Sequence, residues 1–287
     1  MSSVAAPPSD AHLVRKCVSH EEMNPRRRNT MEDVHRYRPE LLRDEQGTVY
    51  SYFGIYDGHG GRQIANFLEE TLEKNIAVEL QQSDEASVLE RLTRAFLITD
   101  MQSYSAGITT SGATAVSALL KTDRDGNRSL YVANVGDSRA VLISDEGQPT
   151  DECEQCPGNF ATRLSYDHRA DDVIEEERIV EAGGFVTRQR VLGILAVSRA
   201  FGDHSMKDFI IASPHVREAS VRAQANPILI LACDGVWDVM SDREAADIIL
   251  SSYAEYGEPF DNAAKLLAET ALERGSMDNV TVIVVFL

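Results

Sequence analysis

No stretch of this 287-residue chain approaches the roughly 20 consecutive apolar residues that span a bilayer. The longest largely apolar run, Val280 to Leu287, has the length and β-branched content of a strand, so no membrane partner is expected. Positive charge is also scarce. Against 46 Asp+Glu stand 28 Lys+Arg, a formal net charge of −18. Nucleic-acid binders carry a basic footprint, so no nucleic-acid partner is expected. Four cysteines in a chain this long make no disulfide framework; they suit a reducing compartment, cytoplasmic or nuclear. Cys153 and Cys156 form a lone CxxC without the second pair of a zinc site. Residues 1–10 lack the basic and apolar regions of a signal peptide, and Ser2 stands where myristoylation requires glycine. Walker A, GxSxG, GxGxxG and HExxH patterns are all missing.

The remaining sequence is ordinary globular material, 43% hydrophobic and 26% charged. Residues 1–11 read as a disordered tail and 12–287 as one domain, since no linker divides them. Thr48 to Tyr56 reads as a strand. Ile64, Phe67, Leu68, Leu72, Ile76 and Leu80 recur at helical spacing, and Leu89, Leu92 and Phe96 mark a second helix. Three strands follow at Ala113 to Leu120, Ser129 to Val135 and Ala140 to Ser144, the first two joined by an Asp125-Gly126-Asn127 hairpin signal. Asp145 to Thr162 reads as a long surface loop. Asp172 to Ala182 reads as a helix stopped at Gly183-Gly184. Pro227 to Cys233 is a buried-strand pattern, Ser241 to Glu244 a capping box, Asn262 to Arg274 a helix, and the C-terminal run a last strand. Strands and helices come in blocks. That favours an α+β fold with two antiparallel sheets in a sandwich and helices on the outer faces, an α-β-β-α arrangement of four layers.

The chemistry concentrates where acids sit awkwardly. Asp57 follows an apolar strand, Asp137 follows another by one glycine, Asp234 follows a third, and Asp278 precedes the last. A buried strand end is a costly place for a carboxylate, and several together repel one another. A hard divalent cation such as Mg²⁺ or Mn²⁺ removes both problems. In Asp57-Gly58-His59-Gly60-Gly61 the glycines allow a tight turn that aims a carbonyl at a metal beside Asp57, and a histidine there suits proton transfer near neutrality. Arg26-Arg27-Arg28 precedes Glu32-Asp33, and an arginine fork reads phosphate. Asp123, Asp125 and Asn127 begin like a calcium loop, but Arg128 and Asn134 occupy the glycine and glutamate positions. Any one of Asp57, Asp137, Asp234 and Asp278 read alone is more simply a strand or helix cap; the four together favour the metal. Another two-metal hydrolase, such as a phosphodiesterase or nuclease, and a non-catalytic binding protein both remain open on these residues.

Eight blocks, in order, resemble the metal-dependent protein serine/threonine phosphatases of type 2C. They include RxxMED at Arg28 to Asp33, YFGIYDGHGG at Tyr52 to Gly61, SGATAV at Ser111 to Val116, LYVANVGDSRAVL at Leu130 to Leu142, GILAVSRAFGD at Gly193 to Asp203, LILACDGVWDVMSD at Leu229 to Asp242, and the C-terminal GSMDNVTVIVVFL. The resemblance implies a β-sandwich with a two-metal centre of Mg²⁺ or Mn²⁺ at one end. It implies Asp57 bridging both ions, Gly58 giving its carbonyl, Asp234 and Asp278 as ligands, and Glu32 acting through water. Arg28 would bind the substrate phosphate and His59 would serve as general acid. A third, looser ion in some members implicates Asp137, Asp203 and Asp234. Phosphorylated proteins are the implied partners, a monomer the implied state, and direct attack by a metal-bridging water the implied mechanism. The 165–191 segment corresponds to the family's flap, and Leu192 stands where many relatives carry Asn.

Overall fold

The structure is a computed structural model that describes residues 14–144, 160–221 and 226–287. The proposed 1–11 tail, the Cys153/Cys156 pair and most of the expected 145–162 loop lie outside these residues. The end of that loop is a strand, Phe160–Arg163 (β7), which pairs with the strand Arg139–Ser144 (β6).

Sequence alternation sets the layers. In Val49–His59 (β3), Tyr52 and Tyr56 face one side while Phe53 and Ile55 face the other, and all four are fully buried. Both faces are covered, so the run reads as continuously apolar. The same holds for Val280–Phe286 (β13), with Val282, Val284 and Phe286 on one face and Ile283 and Val285 on the other. One antiparallel sheet runs Lys16–Glu22 (β1), β13, Ile228–Ala232 (β12), β6, β7. The second runs His215–Val221 (β11), Arg128–Val135 (β5), Gly112–Thr122 (β4), β3, Val34–Arg43 (β2), with the short Phe201–Gly202 (β10) added beside β4.

Helices Gln63–Leu80 (α1) and Val88–Ser105 (α2) close the second sheet's outer face through Ile64, Leu68, Leu72, Ile76, Leu92 and Phe96. Helices Asp242–Tyr256 (α5) and Ala263–Glu273 (α6) close the first through Ala246, Ile249, Ala264 and Leu267. The four-layer α-β-β-α expectation therefore holds. The capping boxes at Ser87/Glu90 and Ser241/Glu244 start α2 and α5, and the Asp125–Asn127 segment is a hairpin held by Asp123 Oδ1, which accepts from the Asp125 and Asn127 amides.

Apart from two-residue strands, four escaped the sequence pattern: β1, β2, β7 and β11. All lie at sheet edges, where one side is wet and charged residues and Pro39 are tolerated. The charges in β2 have internal partners: Arg36 and Arg38 both grip Glu73 of α1, which is 2% exposed.

Beyond the sandwich, residues 165–200 form the flap. It carries the helix Val173–Glu181 (α3), capped by Asp172, and a small hairpin of Val186–Thr187 (β8) and Arg190–Val191 (β9). Its anchor is Glu175, fully buried, which accepts from Arg199, Arg178 and the Ser198 hydroxyl. Burial acts to raise its carboxyl, but the Arg199 and Arg178 hydrogen bonds prevail and bring it from an ordinary 4.5 to about 2. A carboxyl depressed on folding stabilises above its unfolded value, and that stability is lost as pH falls through the folded one. Glu175→Gln is expected to cost about 3 kcal/mol at pH 7, and the gap to wild type in denaturant unfolding should close between about pH 4.5 and 2. A gap that stays constant over that range would contradict the assignment.

Leu192 follows the flap hairpin with φ +52, left-handed backbone that Asn tolerates and Leu resists. This is a physical reason for asparagine at this place. Leu192→Asn is expected to raise stability by about 1 kcal/mol, roughly 2–4 °C in melting temperature; a lower melting temperature would mean that Leu192's packing against the flap outweighs the strain.

Candidate active site

The acids meet at one end of the sandwich, in a cleft of about 390 Å³ lined by Arg28, Glu32, Asp57, Gly58, His59, Asp137, Asp234 and Asp278, and closed from the flap side by Arg190 and Val197. Each arrives on a different element. Strand β3 does not stop before Asp57, as the sequence suggested; it runs on through His59, with Asp57 opposite Thr114 and His59 opposite Gly112 of β4. The turn comes one step later, at Gly60 and Gly61, with φ +66 and +114. Gly58 serves a different need. A Cβ there would stand 2.6 Å from the Glu32 carbonyl oxygen, so only glycine lets the Glu32 segment lie against β3. Asp234 does not hang from the end of β12 but opens the short helix Asp234–Trp237 (α4).

Two amides lash the Arg28–Glu32 segment to the loop before β13. Asn279 Oδ1 accepts from the Glu32 amide at 2.9 Å, while its Nδ2 donates to the Met23 and Thr30 carbonyls. Asn24 Nδ2 donates to the Ser276 and Asp278 carbonyls. These bonds place Arg28 on Asp278, its Nη2 donating to Oδ2, at the cleft mouth. Glu32 Oε2 accepts from the Gly61 amide at 3.1 Å.

Charge is packed against itself. Burial above all, then the carboxylates of Asp33, Asp234, Asp137 and Asp278, drives the Asp57 carboxyl well up. Burial, then Asp137 and Asp278, does the same to Asp234. Asp234 Oδ1 is sealed from solvent and has no hydrogen-bond partner. An orphaned carboxylate oxygen amid like charges is what a hard divalent cation satisfies, so the donor set fits the metal that the sequence implied. Asp33, Asp57 and Cys233 also offer ligand atoms within 4.8 Å of one another. Burial and the neighbouring Asp33 and Asp57 hold the Cys233 thiol well above its ordinary value; a protonated thiol is a poor ligand for a hard ion, and Cys233 instead donates to the Asn279 carbonyl.

Asp33 is the site residue that the sequence reading passed over. It is 1% exposed, accepts from the Thr281 hydroxyl at 2.7 Å and brings a carboxylate oxygen within 4.8 Å of one of Asp57. Its adjacency to Glu32 was the available signal. Asp203 departs from the third-ion grouping implied with Asp137 and Asp234: its Oδ2 is taken by His59 Nε2 at 2.7 Å. The carboxylate brought to Asp137 is that of Asp238, with Arg169 touching both.

A carboxylate-lined cleft at the end of an α-β-β-α sandwich defines a site built to hold hard divalent ions. Residues 18–280 match the protein phosphatase 2C family. The chain is 35% identical over 279 residues to protein phosphatase 2C homolog 1 of Saccharomyces cerevisiae, covering 93% of this chain and 92% of that one. It is 34% identical over 270 residues to protein phosphatase 2C homolog 1 of Schizosaccharomyces pombe, covering 92% and 71%. The fold is shared with the serine-threonine phosphatase 2C of Toxoplasma gondii, at TM-score 0.74 and 22% identity over 94% of both chains. It is shared too with a C. elegans sex determining protein, at TM-score 0.77 and 24% identity over 95% of this chain and 65% of that one. The chain belongs to the protein phosphatase 2C family and is a metal-dependent serine/threonine phosphatase acting on phosphoproteins. Among the described residues, no helix is long and apolar enough to cross a membrane.

Proposed function

We propose that the chain hydrolyses phosphoserine and phosphothreonine esters in one step, with no phosphoenzyme. Asp57, the Gly58 carbonyl, Asp234, Asp278 and, through water, Glu32 would hold two Mg²⁺ or Mn²⁺ ions, which when bound would supply Lewis acidity and an activated water. Arg28, half exposed at the mouth and leaning on Asp278, orients the phosphate and offsets its charge. His59, oriented through Nε2 by Asp203, keeps Nδ1 for proton delivery to the leaving seryl or threonyl oxygen. Asn279 and Asn24 keep Arg28 and Glu32 in register with Asp278. The protein works as a monomer in the cytoplasm or nucleus.

The observation that carries this reading is the crowding of carboxylates on Asp57, with Asp33 and Asp137 buried, together with the orphaned Asp234 Oδ1. The test is hydrolysis of p-nitrophenyl phosphate and a phosphothreonine peptide with Mn²⁺, with Mg²⁺ and with EDTA. Turnover is expected with either ion and none with chelator; activity that survives exhaustive chelation would overturn it.

A further inference from the structure

Arg169 stands at the start of the flap, its backbone bridged to Val197, which lines the cleft. Its guanidinium, 41% exposed, touches two carboxylates at once, the buried Asp137 at Oδ2, 3.2 Å away, and the half-exposed Asp238 at Oδ1, 2.5 Å away. Asp137 is 4% exposed. Asp234 acts on the same crevice: Asp137 is the strongest charge acting on it, and its own charge adds to those of Asp137 and Asp238 in holding Arg169 protonated. The sealed Asp234 Oδ1 has no partner of its own. Asp137 and Asp238 thus share one monovalent cation supplied by the chain, and Asp234 beside them feels it without touching it. Three carboxylates with room for water are also an ordinary ligand set for a hard divalent ion, and that ion and the guanidinium compete for the same oxygens.

We propose that Arg169 is a built-in counter-ion which occupies the crevice between Asp137, Asp234 and Asp238, so that an additional divalent cation binds there only by displacing it. The inference rests on the metal-centre reading above and goes beyond it in naming the residue that sets how many ions the centre holds. Because Arg169 is also part of the flap, filling the crevice with metal frees a flap residue from the centre. Flap position and ion count are thereby coupled through one side chain.

The test counts bound ions rather than turnover. The full chain is dialysed to equilibrium against Mn²⁺ over a concentration series, and bound Mn²⁺ per chain is read by electron paramagnetic resonance. Wild type is expected to saturate at two ions, with further uptake only at high concentration. Arg169→Met is expected to bind a third at least about tenfold more tightly. Adding Asp238→Asn to it should remove the gain, because a ligand is lost. Arg190→Met, which deletes a positive charge from the same cleft without opening the crevice, should leave the count at two. Circular dichroism checks folding. Should Arg169→Met not fold, Arg169→Lys keeps the charge but cannot span both carboxylates, and higher occupancy than wild type is expected.

A tightly bound third ion in wild type overturns the proposal. So does an Arg169 variant with wild-type uptake, or an equal gain in Arg190→Met. A wild type that binds no Mn²⁺ overturns the metal centre itself and this inference with it; two ions in wild type with no gain in the Arg169 variants overturns only the role of Arg169.

Discussion

Asp57→Asn is expected to lower turnover by at least about three orders of magnitude, while making the metal-free protein harder to unfold above about pH 6. Both effects come from one arrangement. Asp57 is placed by β3 among Asp33, Asp234, Asp137 and Asp278, where an anion is useful only with a cation present. Without metal its carboxyl is pushed up by burial and by those neighbours, and Asp33 and Asp137 rise from 3.8 to about 6, in each case chiefly through burial.

A carboxyl raised on folding carries no penalty below its unfolded value and loses stability as pH climbs through the folded one. Metal-free wild type should therefore weaken from about pH 4 to beyond pH 6. Saturating Mn²⁺ should reverse this, by about 2.7 kcal/mol at a hundredfold excess over Kd. The Asn variant carries one buried charge fewer, so its metal-free melting temperature should fall less over the same range, and its gain from Mn²⁺ should be smaller. Calorimetry at pH 5 and 7.5, with EDTA and with Mn²⁺, reads both. A variant that keeps turnover, or whose melting profile follows wild type at both pH values, would remove Asp57 from the centre of the site.

Gly112→Ala is expected to cost about 10²–10⁴ in kcat with little change in KM, the range for loss of a positioned acid. Gly112 lies in β4 between His59 on one neighbouring strand and Gly202 on the other. A Cβ on Gly112 would overlap both Asp203 Oδ2 and His59 Nε2, the two atoms of the hydrogen bond that orients the histidine. Its backbone is ordinary strand, so the defect is steric and local. Asp203 itself sits at φ +47, left-handed backbone that Asp accepts at modest cost and that recurs at functional sites.

The alanine variant should also lose about 1–3 kcal/mol through overpacking, so Asp203→Asn is measured beside it. That change leaves the volume intact, and it should reproduce most of the kcat loss with a smaller loss of stability. The alkaline limb of the pH–rate profile, where a general acid loses its proton, should move in both. If both variants stay within twofold of wild type in kcat, the His59–Asp203 pair is not part of the chemistry.

What the sequence alone determined was whatever depends on neighbours along the chain. The helical spacing of Ile64, Leu68, Leu72 and Ile76, the two capping boxes, the central strands buried on both faces, and acids placed at strand ends are all local patterns. They sufficed for the α-β-β-α sandwich and for Asp57, Asp234 and Asp278 as candidate ligands. Edge strands β1, β2, β7 and β11 were not legible, because an edge tolerates the charge and proline that otherwise signal a loop.

The partners of each acid were decided only by the tertiary structure. Asp203 goes to His59 instead of Asp137 because β10 lies beside β4 and the side-chain-free Gly112 leaves the space between them. Asp33 joins Asp57 because the loop before β13 is tied by Asn24 and Asn279 to a segment some 250 residues away along the chain. Gly58 is needed for an approach between backbones, Glu32 to β3, and not for the turn the motif suggests. Carboxylate pKa values, ion sites and general-acid geometry depend on distances across the fold, and spacing along the chain does not encode those distances until the sheets have packed.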